Sequence, residues 1–205
     1  MTKIKFCGLF RDCDIDAVNE LKPDYIGFVF AKKSKRYVMP EKAAELKKLL
    51  LPTIKAVGVF VDEPQENIVK LLTDGIIDIV QLHGKEDEDY IRTLRKLTAK
   101  PVIKAFCIDS ETDIADIETS SADYVLLDSG KGTGNVFDWD LIMGLKRSYF
   151  LAGGLSPENV GNAVNLLSPY AVDVSSGIET DGFKDSNKMT AFAAAISNEE
   201  RKKRL

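Results

Sequence analysis

The sequence predicts an α/β protein whose strands close into a barrel of eight β/α units. Short apolar runs alternate with longer amphipathic segments eight times along the 205 residues. The units average about 25 residues each, and no linker-like stretch separates them. Strands that alternate with helices at this spacing form βαβ units and a parallel sheet. Eight such units favour a closed barrel over an open sheet, and residues 1–205 are expected to form one domain.

The predicted strands are short runs rich in β-branched and aromatic residues, and each ends at small or charged residues. The intervals between them leave room for a crossover helix, which parallel strands require. In chain order the predicted strands are Lys3–Cys7, Asp24–Phe30, Ile54–Val61, Ile77–Leu82, Pro101–Cys107, Asp123–Asp128, Tyr149–Ala152 and Ala171–Val174.

Helices are predicted where apolar residues recur with helical spacing. Pro40 and Pro64 each occupy a first turn, and Ser156 is the expected N-cap before Pro157. The fifth helix is expected to be weak or short, because its segment is acidic and poor in large apolar residues. The predicted helices are Asp12–Leu21, Pro40–Leu50, Pro64–Thr73, Glu86–Leu97, Ser110–Thr119, a segment from about Asp138, a segment from Pro157, and Ser186–Ala195. Together the elements describe a (β/α)8 TIM barrel.

Composition and motifs narrow the class of ligand. The net charge of -4 lacks the basic field that a nucleic-acid surface needs. No Gly-x-Gly-x-x-Gly motif follows the first strand, which removes the main support for a dinucleotide cofactor. His83 is the only histidine and no Cys/His cluster accompanies it, so no metal site is expected.

The cysteines and the apolar segments predict the cellular setting. Cys7, Cys13 and Cys107 form neither a disulfide framework nor a CxxC pair. No signal peptide and no apolar run of about eighteen residues is found. We therefore expect a cytoplasmic protein with reduced thiols and no membrane contact.

Two strand endings near the C-terminus are built from small residues. The seventh strand leads into Gly153 and Gly154, and the eighth leads into Ser175, Ser176 and Gly177. Backbone amides in such segments are open to an anion, although either ending alone is also ordinary turn punctuation. In TIM barrels the loops after strands seven and eight commonly hold phosphate. The pair of endings therefore predicts one shared phosphate site.

The other strand ends supply an acid and a base. Cys7 ends the first strand, and Lys5 lies on the same strand face, where an ammonium beneath the thiol would favour the thiolate. Asp128 ends the sixth strand. A base and an acid at the mouth of one barrel suit proton transfer next to a carbonyl or imine. Two structural alternatives stay open. Cys7 could serve only as a small buried apolar residue, and Asp128 could serve only to cap the loop.

Three further side chains are candidates for substrate binding. Arg36 follows the second strand and offers bidentate geometry for a carboxylate or a phosphate. His83 ends the fourth strand, and a structural role for it is the alternative. Asp173 lies on the eighth strand, close to the predicted phosphate loop.

A series of motifs occurs at these strand ends in a fixed order. The motifs are Lys5–Leu9, Gly27–Phe30, Ser34–Val38, Gln81–Gly84, Leu126–Asp128, Gly132–Gly134, Phe137–Trp139, Leu151–Leu155, Asp173–Glu179 and Lys184–Asp185. In this combination the chain resembles the phosphoribosylanthranilate isomerase family, from about Lys3 to Phe192. Phe6, Phe10 and Lys131 depart from the usual pattern, which puts in doubt the shape of the anthranilate end and the flexibility of the glycine-rich loop.

The resemblance implies an Amadori rearrangement of N-(5-phosphoribosyl)anthranilate in tryptophan biosynthesis, without a cofactor. It implies that Cys7 is the general base and Asp128 the general acid. It also implies that Arg36 holds the anthranilate carboxylate and that Asp173 lies near the ribose hydroxyls. The glycine and serine amides of the seventh and eighth strand ends would hold the phosphate.

Two other functions remain as alternatives. Related dual-substrate sugar isomerases of histidine biosynthesis carry aspartate at the end of strand one, where this chain has Cys7. A barrel that only binds phosphate would not require Cys7 and Asp128 together. The expected partner is a small phosphosugar, and the chain is expected to be a monomer or a homodimer.

Overall fold

Eight parallel strands form a closed barrel in a computed structural model of the chain, which describes residues 1–109, 114–129 and 137–203. Each strand pairs with the next along the chain, and the first strand closes the barrel on the eighth, with Lys5 opposite Asp173. The predicted TIM-barrel fold is confirmed. Lys131 and the glycine-rich segment after Asp128 lie outside the described residues, as does the predicted helix start at Ser110.

The strands follow the predicted order closely. The first and eighth have the predicted bounds, whereas the other six are one or two residues shorter, because strand assignment ends with the ladder of hydrogen bonds. The strands are β1 Lys3–Cys7, β2 Tyr25–Val29, β3 Lys55–Phe60, β4 Ile79–Leu82, β5 Val102–Cys107, β6 Tyr124–Asp128, β7 Tyr149–Leu151 and β8 Ala171–Val174. After β8 a two-stranded hairpin forms from β9 Glu179–Thr180 and β10 Phe183–Lys184.

The helices surround the barrel, and the described part of the fifth covers Ile114–Thr119. They are α1 Asp12–Leu21, α2 Pro40–Leu49, α3 Gln65–Thr73, α4 Glu88–Leu97, α5 Ile114–Thr119, α6 Val160–Leu167 and α7 Ser186–Lys202. None of the helices in the described part of the chain is both long enough and apolar enough to cross a bilayer.

The second, third and fourth helices differ from their predicted bounds by one or two residues at one end, and three other helix predictions differ by more. The segment from Asp138 forms only a 3-10 helix over Trp139–Ile142, because the backbone turns at Gly144, where φ is +99°, before β7 begins. The helix predicted from Pro157 begins at Val160 instead. The Ser156 hydroxyl accepts a hydrogen bond from the Glu158 amide, so that it caps a turn that precedes α6. The last helix continues beyond Ala195 to Lys202 and buries Ile196.

The apolar core has two layers because alternate strand residues point to opposite faces. One layer fills the barrel interior with Tyr25, Val57, Ile103, Leu126 and Phe150. The larger layer lies between the strands and the helices. The interior of the barrel is therefore packed, and above this layer, at the C-terminal ends of the strands, there is room for a ligand.

Candidate active site

A cavity of about 270 Å³ opens at the C-terminal end of the barrel. Nine of the ten predicted site residues line this cavity. The tenth, Gly177, directly follows Ser176 in the same loop. A larger groove of about 510 Å³ lies outside the barrel at α2 and α3, but none of the predicted residues lines it. The lining of the smaller cavity is Cys7, Val29, Ala31, Ser34, Arg36, Val59, Val61, Gln81, His83, Asp128, Ser129, Ala152–Leu155 and Asp173–Ser176.

Cys7 is buried at the end of β1 and packs against Val29 and Val59. Burial raises the pKa of its thiol, because the thiolate loses hydration. The Lys5 ammonium opposes this effect and favours the thiolate, whereas the Asp173 carboxylate adds to it. The net direction is upward. Lys5 thus acts on the thiol in the expected direction, but burial, with Asp173 adding to it, outweighs the effect of Lys5.

Lys5 and Asp173 form a buried ion pair below the thiol. The Lys5 Nζ lies 3.0 Å from both Asp173 carboxylate oxygens, and the two side chains are 0% and 8% exposed. The pair joins β1 to β8, where these residues lie opposite each other in the ladder. A charge buried to this degree requires such a partner. Asp173 thus lines the cavity while both of its oxygens bind Lys5.

Asp128 lies at the end of β6 and contacts His83. The His83 Nε2 lies 3.3 Å from Asp128 Oδ2. On its other side, the His83 Nδ1 lies 2.9 Å from the side-chain nitrogen of Gln81, which is 1% exposed. These contacts form a continuous row from Gln81 through His83 to Asp128. Gln81 was absent from the predicted site, although its position two residues before His83 places it on the same strand face.

Arg36 is bound by a carboxylate of the chain itself. Its Nε and one terminal nitrogen donate to the two carboxylate oxygens of Glu179 at 2.6 and 2.8 Å. The Lys184 Nζ donates to the same Glu179 carboxylate at 2.5 Å and to the Ser175 carbonyl oxygen at 2.9 Å. Burial alone would raise the pKa of Glu179, but the hydrogen bonds from Arg36 and Lys184 hold it below its usual range.

The sequence analysis did not include Glu179 and Lys184 among the site residues. Glu179 belongs to one of the recognised motifs, but nothing in its local pattern shows that it pairs with Arg36, which is 143 residues away. The guanidinium group has five N–H donors, and Glu179 engages two of its nitrogens. Glu179 therefore orients the Arg36 side chain, and the guanidinium keeps N–H donors that Glu179 does not engage.

The two loops of the predicted phosphate site lie against each other. Gly153 and Gly154 have φ values of +81° and +65°, which residues with a Cβ rarely adopt. A Cβ at Gly177 would overlap the Leu155 carbonyl oxygen, so the loop after β8 approaches the loop after β7 too closely for any other residue. The structure thus brings both small-residue endings to one wall of the cavity.

The Ser175 side chain makes contacts that were not predicted, in addition to the predicted role of its backbone amide in phosphate binding. Its hydroxyl donates to the Cys7 carbonyl oxygen at 3.0 Å and accepts from Lys184 Nζ at 3.2 Å. The side chain thus ties β8 to the end of β1. Its backbone amide remains the group proposed for phosphate.

The described residues contain no group of three or more His, Cys, Asp or Glu side chains placed to hold a metal ion. The site instead consists of a thiol, a carboxylate beside an imidazole, a guanidinium and a wall of small residues. Such a set suits proton transfer on an anionic substrate.

The family model for N-(5'phosphoribosyl)anthranilate (PRA) isomerase matches residues 4–195. The chain belongs to this family.

Individual relatives match nearly the whole chain. The N-(5'-phosphoribosyl)anthranilate isomerase of Endomicrobium trichonymphae is 47% identical over 194 residues, which are 92% of this chain and 95% of the relative. The crystal structure of phosphoribosyl anthranilate isomerase from Thermotoga maritima is 36% identical with a TM-score of 0.88, and the match covers 97% of this chain and 100% of that one. A further isomerase structure, at 36% identity and a TM-score of 0.86, contains reduced 1-(o-carboxyphenylamino)-1-deoxyribulose 5-phosphate, with the same coverage.

Proposed function

We propose that this chain converts N-(5-phosphoribosyl)anthranilate to 1-(2-carboxyphenylamino)-1-deoxyribulose 5-phosphate, the Amadori rearrangement of tryptophan biosynthesis. The observation that carries the proposal is the presence of Cys7 and Asp128 in one cavity whose walls also hold Arg36 and the small-residue loops. Isomerisation needs one base, one acid and anchors for two anionic ends of the substrate. The cavity contains a candidate for each.

In the proposed mechanism Asp128 donates a proton to the ring oxygen of the ribose. The bond from that oxygen to C1 breaks, and the anthranilate nitrogen provides the electron pair that forms an iminium ion. The Cys7 thiolate then removes the proton from C2, and the electrons of that C–H bond reduce the iminium to an enamine. The enamine carries a hydroxyl at C2 and tautomerises to the ketose product. Each step moves protons and electron pairs only within the substrate and these two side chains, so no cofactor enters.

The anchors supply the binding energy that positions the reacting carbon. The amides of Gly153, Gly154, Ser175, Ser176 and Gly177 would receive the phosphate. Arg36, oriented by Glu179, would receive the anthranilate carboxylate through donors that Glu179 does not engage. His83 would assist through Asp128, and Asp173 would face the ribose hydroxyls from its place beside Lys5.

A fluorescence assay with freshly prepared N-(5-phosphoribosyl)anthranilate tests substrate and reaction together. We expect the purified chain to consume the fluorescent substrate, with the double variant Cys7→Ala/Asp128→Asn as the matched blank. Substrate loss at equal rates with the protein and with the blank would contradict the proposal. Three further properties stay predictions. They are a single domain over residues 1–205, a monomeric or homodimeric state, and a cytoplasmic location.

A further inference from the structure

Gln81 lies in an unusual position for a polar side chain. It is buried on β4, and its side-chain nitrogen lies 2.9 Å from His83 Nδ1. Its side-chain oxygen, Oε1, is also buried and has no hydrogen-bond partner in the described part of the chain. A buried amide oxygen without a partner costs free energy, so the orientation of this amide calls for a reason.

The contact with His83 supplies that reason. If the amide turned by half a rotation, Oε1 would meet Nδ1, which would then have to carry the ring proton, and a bare Nε2 would face Asp128 Oδ2 at 3.3 Å. A bare ring nitrogen and an ionised carboxylate oxygen both only accept, so that contact would lose its hydrogen bond. The observed orientation keeps both contacts of the ring, and in it Gln81 donates to Nδ1. A ring nitrogen that accepts a hydrogen bond carries no proton, so the ring proton must lie on Nε2.

The backbone at His83 is held by hydrogen bonds of its own. The His83 amide donates to the Phe60 carbonyl oxygen at 2.8 Å, and the Gly84 amide donates to Glu86 Oε2 at 2.9 Å. Glu86 in turn forms an ion pair with Lys104 at 2.9 Å, and both side chains are buried. These contacts fix the backbone on both sides of the imidazole, and the ring itself contacts Gln81 and Asp128.

We propose that Gln81 is a positioning residue that holds His83 as the neutral tautomer with its proton on Nε2, so that His83 donates to Asp128 and does not accept from it. The tautomer itself follows from the contacts above. Its catalytic consequence rests on the proposed function, in which Asp128 is the general acid.

The consequence concerns where the acid proton goes. With the opposite tautomer, the bare Nε2 would accept the Asp128 proton, and the acid would donate to His83 instead of to the substrate. With Nε2–H, Oδ2 accepts from His83 whether Asp128 is charged or neutral. The proton of the acid is then carried on Oδ1, and it passes to the ring oxygen of the ribose. The carboxylate left behind keeps the hydrogen bond from Nε2.

The chain offers a direct measurement, because His83 is its only histidine. A long-range proton–nitrogen correlation spectrum of the isotope-labelled protein reports which ring nitrogen carries the proton, with no assignment problem. In the unmodified protein at neutral pH we expect Nε2 protonated and Nδ1 bare. A proton on Nδ1 would overturn the proposal without any variant.

Gln81→Glu provides the second measurement, because it keeps the shape of the side chain and replaces the donor by an acceptor. We expect Nδ1 to gain a proton and kcat to fall by about tenfold or more, with a smaller change in KM, since general acids typically contribute 10² to 10⁴. Gln65→Glu makes the same charge change on α3 and is expected to alter neither the spectrum nor kcat. A bare Nδ1 in the Gln81 variant, or a protonated Nδ1 with unchanged kcat, would overturn the role of Gln81.

The two proposals fail separately. If the protein lacks isomerase activity but its spectrum shows a proton on Nε2, the proposed reaction is wrong and the Gln81–His83 hydrogen bond stands. If the protein is an active isomerase but its spectrum shows a proton on Nδ1, the reaction stands and the proposed role of Gln81 is wrong. A role of Gln81 in stability alone would not move the ring proton.

Discussion

Lys5 and Asp173 form an ion pair inside the barrel, with the ammonium 3.0 Å from both carboxylate oxygens. The pair closes the seam between β1 and β8 directly below Cys7. Because Asp173 offsets the charge of Lys5, the cationic influence on the thiol is reduced, and burial keeps the pKa of Cys7 above its ordinary value. This relationship governs both the stability of the barrel and the pH range in which Cys7 can act as a base.

The pH dependence of the reaction follows from the raised pKa of Cys7. A general base acts in its deprotonated form, so raising the pH through that pKa increases the active thiolate fraction. Asp128 must be protonated at the same time, so the active fraction is the product of the thiolate fraction of Cys7 and the protonated fraction of Asp128. Above the pKa of Cys7 the thiolate fraction no longer grows while the protonated fraction of Asp128 keeps falling, so we expect kcat/KM to decline only above the ordinary thiol value of about 8.5. A pH–rate profile of the fluorescence assay measures this limb. A decline that begins below neutral pH would contradict a base with a raised pKa at Cys7.

Substitution of the acid or the base should lower turnover without unfolding the protein. We expect Cys7→Ala and Asp128→Ala each to lower kcat by about 10² or more with the fold retained, which is the range of general acid–base contributions. Circular dichroism and kinetics check the two parts. Cys13→Ala is the matched control, because Cys13 is exposed on α1. A Cys7→Ala enzyme of normal rate would exclude a proton-abstracting role for this thiol.

Removal of the Arg36 guanidinium should act mainly on substrate binding. A hydrogen bond to a charged group contributes about 1.5–3 kcal/mol, so Arg36→Ala is expected to raise KM by about tenfold or more. Steady-state kinetics measures the change. Lys33→Ala, an exposed cation in the same loop, is the control for the loss of one positive charge. If the two variants have equal KM values, Arg36 does not bind the substrate carboxylate.

The small-residue wall should bind an inorganic anion. We expect inorganic phosphate to inhibit competitively and, in a crystal soaked with it, to lie at the amides of Gly154 and Ser176, because such amides complement an anion. Gly177→Ala should weaken this inhibition, since a Cβ at Gly177 would push the two loops apart at Leu155. Phosphate located elsewhere in the barrel mouth would refute the placement.

Removing one partner of the Lys5–Asp173 pair should lower the free energy of unfolding more than removing both partners. Lys5→Met leaves a buried carboxylate unpaired and is expected to lower the free energy of unfolding by about 3–5 kcal/mol. The double variant Lys5→Met/Asp173→Leu should recover most of this loss. Urea denaturation measures both. Lys70→Met, which breaks an exposed pair with Asp74, should have a far smaller effect. Equal losses in the single and double Lys5 variants would contradict this account.

The sequence alone determined the barrel and the position of most site residues on it. Strand alternation and helical periodicity are local properties, so β1 and β8 could be read to the residue, and the strand-end rule then located Cys7, Asp128 and the glycine and serine endings. Local hydrogen bonds that periodicity does not encode moved the start of α6 from Pro157 to Val160.

Only the tertiary structure decided which side chains pair and how strongly each is buried. Arg36 meets Glu179 across 143 residues, and Lys5 meets Asp173 across 168, and neither pairing leaves a mark on the local sequence. The net direction of the pKa of Cys7 depends on burial against two opposing charges, which strand periodicity cannot balance. The hydrogen bond of Gln81 likewise depends on the contact of His83 with Asp128, which lies on another strand, because that contact requires a proton on Nε2 and leaves Nδ1 as the acceptor.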